Sequence, residues 1–287
     1  MMQLRSLLFV PGDRPDRMRK ALTCGADALI LDLEDSVVLE AKPAARRAVH
    51  AFLKDVEGST TCLFVRVNPL DSGLVDEDLE ALCDARPDGI MLPKAEGGAS
   101  VAALDARLTS LGWTDGMILP ITAETPSAIF SLGSYRGSST RLCGLTWGAE
   151  DLPASIGAIS ARQEDGRYSA PYELARSLTL FAAHAAGVAA IETVYPAFRD
   201  PEGLAAYAQR GRRDGFTGMM AIHPSQIEII NAAFTPTDAQ IAAARAVVEL
   251  FENNPGAGAL SIEGKMIDIP HLKAARRVLA MKTKDGS

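Results

Sequence analysis

Short apolar runs alternate along this chain with segments whose apolar residues return every three or four positions. The runs fall at 7–10, 28–33, 62–67, 89–92, 117–121, 142–146, 189–194 and 218–222, and each reads as a buried strand. Between them, segments 14–24, 42–53, 76–83, 100–111, 172–186 and 201–212 carry helical spacing and good helix formers. Strand followed by helix, with eight strands, predicts an α/β fold of the (β/α)8 TIM-barrel type. A doubly wound open sheet is the runner-up, because periodicity alone does not close a barrel. No Gly-x-Gly-x-x-Gly or Walker loop follows any run, which argues against a dinucleotide site and against that runner-up.

The pattern continues past the eighth strand. Residues 224–234 read as the last barrel helix and 236–251 as a further helix, with Thr235 or Thr237 as its N-cap. A Gly- and Pro-rich hinge, Asn253-Asn-Pro-Gly-Ala-Gly258, precedes a short hairpin and a final helix within 259–280. The domain reading is therefore a catalytic barrel over 1–235 and a C-terminal helical and hairpin extension over 236–287. A barrel does not need this extension, so it reads as a lid or as an arm to a neighbouring subunit.

The chain has 287 residues, 47% of them apolar and 23% charged, enough for a sizeable core without a disordered bias. Its net charge of −7 disfavours a dedicated nucleic-acid binder but leaves room for a local anion site. Cys24, Cys62, Cys83 and Cys143 form no Cys-x-x-Cys pair, as expected of thiols in a reducing cytosol. The N-terminal apolar run turns polar too soon for a signal peptide, and no stretch reaches the ~20 residues of a membrane span. A cytoplasmic protein with no membrane partner is the expectation.

Polar residues collect where the strands should end. Glu124 follows the fifth run and Asp151 the sixth; if those strands are neighbours in a barrel, both carboxylates open onto one mouth. Two hard oxygen donors with room for water and substrate suit Mg²⁺, with Mn²⁺ as the alternative. Arg66 lies in Phe64-Val-Arg-Val-Asn-Pro69 and needs a partner if buried. Two readings stand: a salt bridge to Asp32, Glu34 or Asp35, and a fork for a substrate carboxylate or carbonyl, which its place at a strand exit favours. Alternation sends Asp32 and Glu34 to one side, where they orient Arg66 or metal waters, and both join the candidate catalytic set. Asp35 reads equally as a structural residue, a helix cap or loop ion pair, and as part of the site. Lys94 reads as an ion pair at the mouth rather than a Schiff-base lysine.

Arg14, Arg17, Arg19 and Lys20 open the first helix; a solvated face explains them, yet they border the mouth, so Arg14 and Arg17 are candidate phosphate or substrate contacts. His223 precedes a proline at a strand end and reads first as structural. His50, His184 and His271 fall in predicted helices with no partner signal, and the chain lacks a zinc triad. Trp147 fits core packing and a pocket wall equally well.

Taken together, Leu8-Phe-Val-Pro-Gly-Asp-Arg14, Leu31-Asp-Leu-Glu-Asp-Ser-Val37, Val65-Arg-Val-Asn68, Leu92-Pro-Lys94, Glu124-Thr125, Gly148-Ala-Glu-Asp-Leu152, Ile222-His-Pro-Ser-Gln226 and Gly264-Lys-Met-Ile-Asp268 resemble the citrate lyase β-subunit-like family of the HpcH/HpaI aldolases. The resemblance runs in order over nearly the whole chain. It implies a Mg²⁺-dependent carbon–carbon lyase of a short hydroxyacyl-CoA thioester, of malyl-, citramalyl- or citryl-CoA type, built as a homotrimer or a hexamer. It implies that Glu124 and Asp151 ligate the metal, that Glu124 also meets substrate, and that Arg66 binds the substrate oxygen and acyl group. Asp268, in the extension, would serve the neighbouring subunit's site as acid/base. One departure is Met219, where many members carry Lys. Rival readings are a thioesterase or malate-synthase-like activity at the same site, a citrate lyase β subunit acting with an acyl carrier protein and a lyase α subunit, and a non-catalytic scaffold.

Overall fold

The computed structural model describes residues 3–262 and 264–282, so positions 1–2, 263 and 283–287 of the predicted segments lie outside the described residues. Eight strands, β1 (Ser6–Pro11), β2 (Ala28–Asp32), β3 (Cys62–Arg66), β4 (Gly89–Leu92), β5 (Met117–Thr122), β6 (Gly144–Trp147), β7 (Ala189–Glu192) and β8 (Gly218–Ala221), close in sequence order into a parallel barrel. Helices α1 (Pro15–Ala21), α2 (Lys42–Asp55), α3 (Val75–Leu82), α4 (Gly98–Ser110), α5 (Pro126–Ser131), α6 (Asp151–Ile156), α7 (Ala170–Ala186), α8 (Pro201–Asp214) and α9 (Ile227–Phe234) occupy the connections. The fold is the predicted (β/α)8 barrel. Among the described residues no helix is long and apolar enough to cross a membrane.

The barrel interior is a packed layer that includes Leu7, Ile30, Phe64, Leu119, Ile191 and Met220. Gly89 makes room for its largest member: a Cβ there would lie 2.4 Å from Cε1 of Phe64. Side chains alternate along a strand, so the inward position after Ile30 is Asp32 and the one after Phe64 is Arg66. β2 and β3 pair with Asp32 directly opposite Arg66. An ionic layer therefore sits on the apolar floor at the C-terminal end of the barrel.

Several strands stop short of their apolar runs. β2 was expected to reach residue 33 and ends at Asp32, because Asp32 Oδ1 and Oδ2 accept the N–H groups of Glu34 (2.9 Å) and Ser36 (3.0 Å) and turn the chain away from the ladder. Helices α5 and α6 have six residues each, too few to display a 3.6-residue period, and the sequence reading had neither. α5 nonetheless carries start signals, with Thr125 Oγ1 accepting from Ala128 N at 3.2 Å and Pro126 in the first turn.

The chain divides into two compact units, Leu4–Asn231 and a C-terminal unit that starts at Ala232. The second contains α10 (Asp238–Glu252), an antiparallel hairpin of β9 (Ala259–Ile262) and β10 (Lys265–Asp268), and α11 (Ile269–Lys282). Thr237, the second of the two expected caps, closes a capping box with Gln240. Phe251, Ile267 and Leu272 form this unit's own small core.

Candidate active site

At the end of β3, Arg66 turns its guanidinium onto the end of β2. Nε donates to Asp32 Oδ1 at 2.6 Å and Nη2 to Asp32 Oδ2 at 2.7 Å, a bidentate pair. Nη1 lies 2.8 Å from Glu34 Oε2, as an ion pair outside hydrogen-bond geometry, and 3.7 Å from Asp35 Oδ2. The ring of Phe9 lies 5.0 Å from the guanidinium carbon. The salt-bridge reading of Arg66 is thus realised, and the same side chain still lines the cavity described below. Burial works against the charge on Arg66, but Asp32, Glu34 and Asp35 outweigh it and hold the cation charged. Burial likewise pushes the Asp32 carboxyl up, and Arg66 reverses this, leaving Asp32 below the usual carboxylate range.

Glu34 is shared. Lys94 Nζ donates to Glu34 Oε1 at 2.6 Å and lies 3.9 Å from Asp151 Oδ1. The lysine thus takes the ion-pair role expected of it. Its main chain does something the sequence does not announce: Lys94 N donates to Glu124 Oε2 at 2.5 Å. Lys94 has φ +50° and Ala123, just before Glu124, has φ +59°, conformations that side-chain-bearing residues seldom adopt. Two strained residues therefore aim one donor at one carboxylate.

Glu124 is 3% exposed. Burial drives its carboxyl well above the ordinary range, and the nearby carboxylates of Asp151 and Glu34 push the same way. Gly148 closes over it: a Cβ at that position would lie 2.4 Å from Glu124 Cγ and 2.7 Å from Oε1. Asp151 opens α6, and one turn later Ser155 Oγ donates to the Glu124 carbonyl at 3.0 Å, tying the helix that bears Asp151 to the loop that bears Glu124.

Most of these groups, though neither Glu34 nor Lys94, line a cavity of about 490 Å³. Asp32, Asp35, Glu124, Glu150 and Asp151 line it, against the guanidinium groups of Arg17 and Arg66. That excess of acid repels an anionic ligand unless a cation accompanies it. Among the described residues no three His, Cys, Asp or Glu side chains form a ready cage; Glu124 and Asp151 would offer two carboxylates, with other positions left to water or ligand. A hard divalent cation fits that donor set and would relieve the repulsion that raises Glu124.

The other candidates divide between the cavity and the rest of the fold. Arg17 lines the cavity, whereas Arg14 does not and lies 3.5 Å from Asp13. Met219 is fully buried in β8 and is not among the cavity-lining residues. Trp147 resolves to core: it is buried and donates to Glu192 Oε1 at 2.7 Å. Glu192, absent from the sequence reading, is also buried and accepts from Arg176 Nε at 2.6 Å, bracing the end of β7. His223 is structural, accepting from Ser225 N at Nδ1 (3.2 Å) and stacking on Phe198. The histidines that carry no partner signal in the sequence each find a partner in the fold: His50 meets Asp84, His184 the Gly215 carbonyl and His271 Asp268. Asp268 lies in the C-terminal unit at the start of α11, with Oδ1 2.5 Å from His271 Nδ1.

The sequence profile of the HpcH/HpaI aldolase/citrate lyase family matches residues 5–224. A (3S)-malyl-CoA thioesterase of Cereibacter sphaeroides (strain KD131 / KCTC 12085) is 35% identical, over 96% of this chain and 93% of that protein. The mitochondrial citramalyl-CoA lyase of Mus musculus is 33% identical, over 97% of this chain and 86% of that protein. Among solved structures, CitE of Mycobacterium tuberculosis in complex with magnesium, acetoacetate and coenzyme A superposes with a TM-score of 0.80 at 34% identity, covering 97% of this chain and 98% of that one. With a barrel, a mouth of paired acids and relatives matched along almost their full length, the chain belongs to the HpcH/HpaI aldolase/citrate lyase family.

Proposed function

We propose that this protein is a Mg²⁺-dependent carbon–carbon lyase that splits a short 3-hydroxyacyl-CoA thioester into acetyl-CoA and a 2-oxo acid. The observation that carries the reading is the pairing of buried Glu124 with Asp151 on a cavity whose lining acids outnumber its lining cations. The CitE structure with magnesium and coenzyme A supports it. Glu124 and Asp151 would hold Mg²⁺, which when bound supplies Lewis-acid stabilisation of the substrate's hydroxy-acid oxygens.

The reaction removes the hydroxyl proton, turns the carbinol into a carbonyl, breaks the bond to the thioester α-carbon and returns one proton to that carbon. Arg66 faces the oxygen on which charge develops, and its charge is fixed in place by Asp32 and Glu34. Glu34 is held in turn by Lys94. Arg17 at the cavity edge attracts the anionic carrier. In this proposal residues 236–287 form an arm in a trimer or hexamer, and Asp268 exchanges the proton with the enolate carbon in a neighbouring copy's site.

Thioester hydrolysis is the second reading, favoured by the 35% identity to the malyl-CoA thioesterase. Incubation with malyl-, citramalyl- and citryl-CoA, with and without EDTA, followed by mass spectrometry separates the two. Acetyl-CoA plus a 2-oxo acid, formed only without EDTA, is the expected outcome. Free CoA plus intact hydroxy acid would establish hydrolysis, and unchanged substrates would refute both.

A further inference from the structure

Lys42 opens α2, and its buried ammonium lies against the turn that follows β2. Nζ donates to the carbonyl oxygens of Leu33 at 2.8 Å and Glu34 at 3.0 Å. This is an unfavourable place for a cation. Burial pulls its pKa below the usual lysine range, against the carboxylates of Asp78, Asp32, Glu34 and Asp35. The first turn of a helix also repels positive charge. Nor do the two carbonyls lack other donors: Leu33 O accepts from Asn68 Nδ2 at 3.2 Å and Glu34 O from Val37 N at 3.1 Å. An apolar side chain of the same length would leave both oxygens satisfied.

What the ammonium adds is direction. The two oxygens belong to the peptide planes on either side of the Glu34 Cα. A plane fixed on each side fixes where the Glu34 side chain leaves the main chain. That buried carboxylate accepts from Lys94 Nζ at Oε1 and faces Arg66 Nη1 with Oε2. Lys42 stands on a firm base. Arg46, one turn further along α2, donates to Asp78 Oδ1 at 2.7 Å, and Asp78 Oδ2 accepts from Asn68 N and Nδ2 at 2.7 Å each.

We propose that Lys42 is a positioning residue for the reaction: it holds both peptide planes beside Glu34, and so sets the carboxylate that steadies Arg66. Lys42 is not among the cavity-lining residues, and its bonds go to neither Glu124 nor Asp151. It therefore acts on turnover through Glu34 and Arg66, and not through the cation. This rests on the lyase reading above, in which Arg66 faces the oxygen that gains charge.

Lys42→Met keeps the length of the stem and removes the ammonium; Lys42→Gln replaces it if that chain does not fold. The measurements are kcat and KM for malyl-, citramalyl- and citryl-CoA with Mg²⁺, Mg²⁺ affinity by isothermal titration, and hydrogen exchange over residues 33–37. The kinetics are repeated on a Glu34→Gln background. On the unaltered background kcat should fall by about 10- to 100-fold, and KM and Mg²⁺ affinity should stay within about two-fold. Exchange over 33–37 should become faster. With Glu34→Gln already present, the Lys42 substitution should lower kcat by less than about two-fold, because the group it directs is already impaired. A merely structural Lys42 would carry its full factor onto the Glu34→Gln background, and that result would overturn the proposal. A kcat within about two-fold of the unaltered protein, or unchanged exchange over 33–37, would overturn it too. If the unaltered protein consumes none of the three thioesters, the lyase reading falls, and the exchange measurement still decides whether Lys42 holds the turn that carries Glu34.

Discussion

Arg66 and Asp32 stand directly opposite each other on β3 and β2, joined by two hydrogen bonds of 2.6 and 2.7 Å. The guanidinium that reaches the cavity is thus oriented by a carboxylate that itself accepts two main-chain N–H groups. Lysine keeps the charge but cannot match a planar fork. Arg66→Lys is expected to lower kcat/KM by about 10²- to 10³-fold. Steady-state kinetics checks this, with circular dichroism to confirm the fold; near-normal turnover would make Arg66 a structural residue only.

The same pair predicts a pH dependence of stability. The folded Asp32 carboxyl lies below its unfolded value, so its stabilisation is complete above that unfolded value, near 3.9, and is lost as pH falls through the lower folded one. Asp32→Asn leaves Arg66 without its buried counter-charge and should cost about 3–5 kcal/mol at pH 7. Urea midpoints of the two proteins, measured from pH 7 downward, should converge below about pH 4. A constant gap across that range would mean that Asp32 does not titrate as described.

Gly148 lies so close to Glu124 that a methyl group there must displace the carboxylate. Gly148→Ala is expected to weaken Mg²⁺ binding by about 10- to 100-fold and to cost about 1–3 kcal/mol of stability from overpacking. Isothermal titration with Mg²⁺ and a melting curve on the same sample check both parts. Unchanged Mg²⁺ affinity would remove Glu124 from the cation site.

If active sites are shared between copies, two inactive variants should rescue each other. Glu124→Ala and Asp268→Ala are each expected to lose nearly all activity, and oligomers mixed from both should recover part of it. Demonstrably mixed oligomers that stay inactive would put Asp268 outside a shared site.

Much of this organisation was legible in the sequence. Strands buried on both faces read as short apolar runs, so charged residues at their ends, Asp32, Arg66 and Glu124, stood out. What the sequence hid were relations made by the main chain. The bond from Lys94 N to Glu124 depends on left-handed backbone at Lys94 and Ala123, where neither residue type advertises it. Gly148 was visible as a letter in a motif, but its contact with Glu124 needs the three-dimensional approach of the β5 and β6 ends. Glu192 carries no signal in the sequence because its partners, Trp147, Arg176 and Tyr207, lie on three different elements.

Glu124 and Asp151 would together hold one divalent cation. Crystals soaked in Mn²⁺, which scatters anomalously where Mg²⁺ does not, test it most directly. A single anomalous peak within bonding distance of a carboxylate oxygen of each residue, absent after EDTA, is the expected result. A peak elsewhere in the barrel, or the two carboxylates turned away from each other with no ion between them, would contradict it.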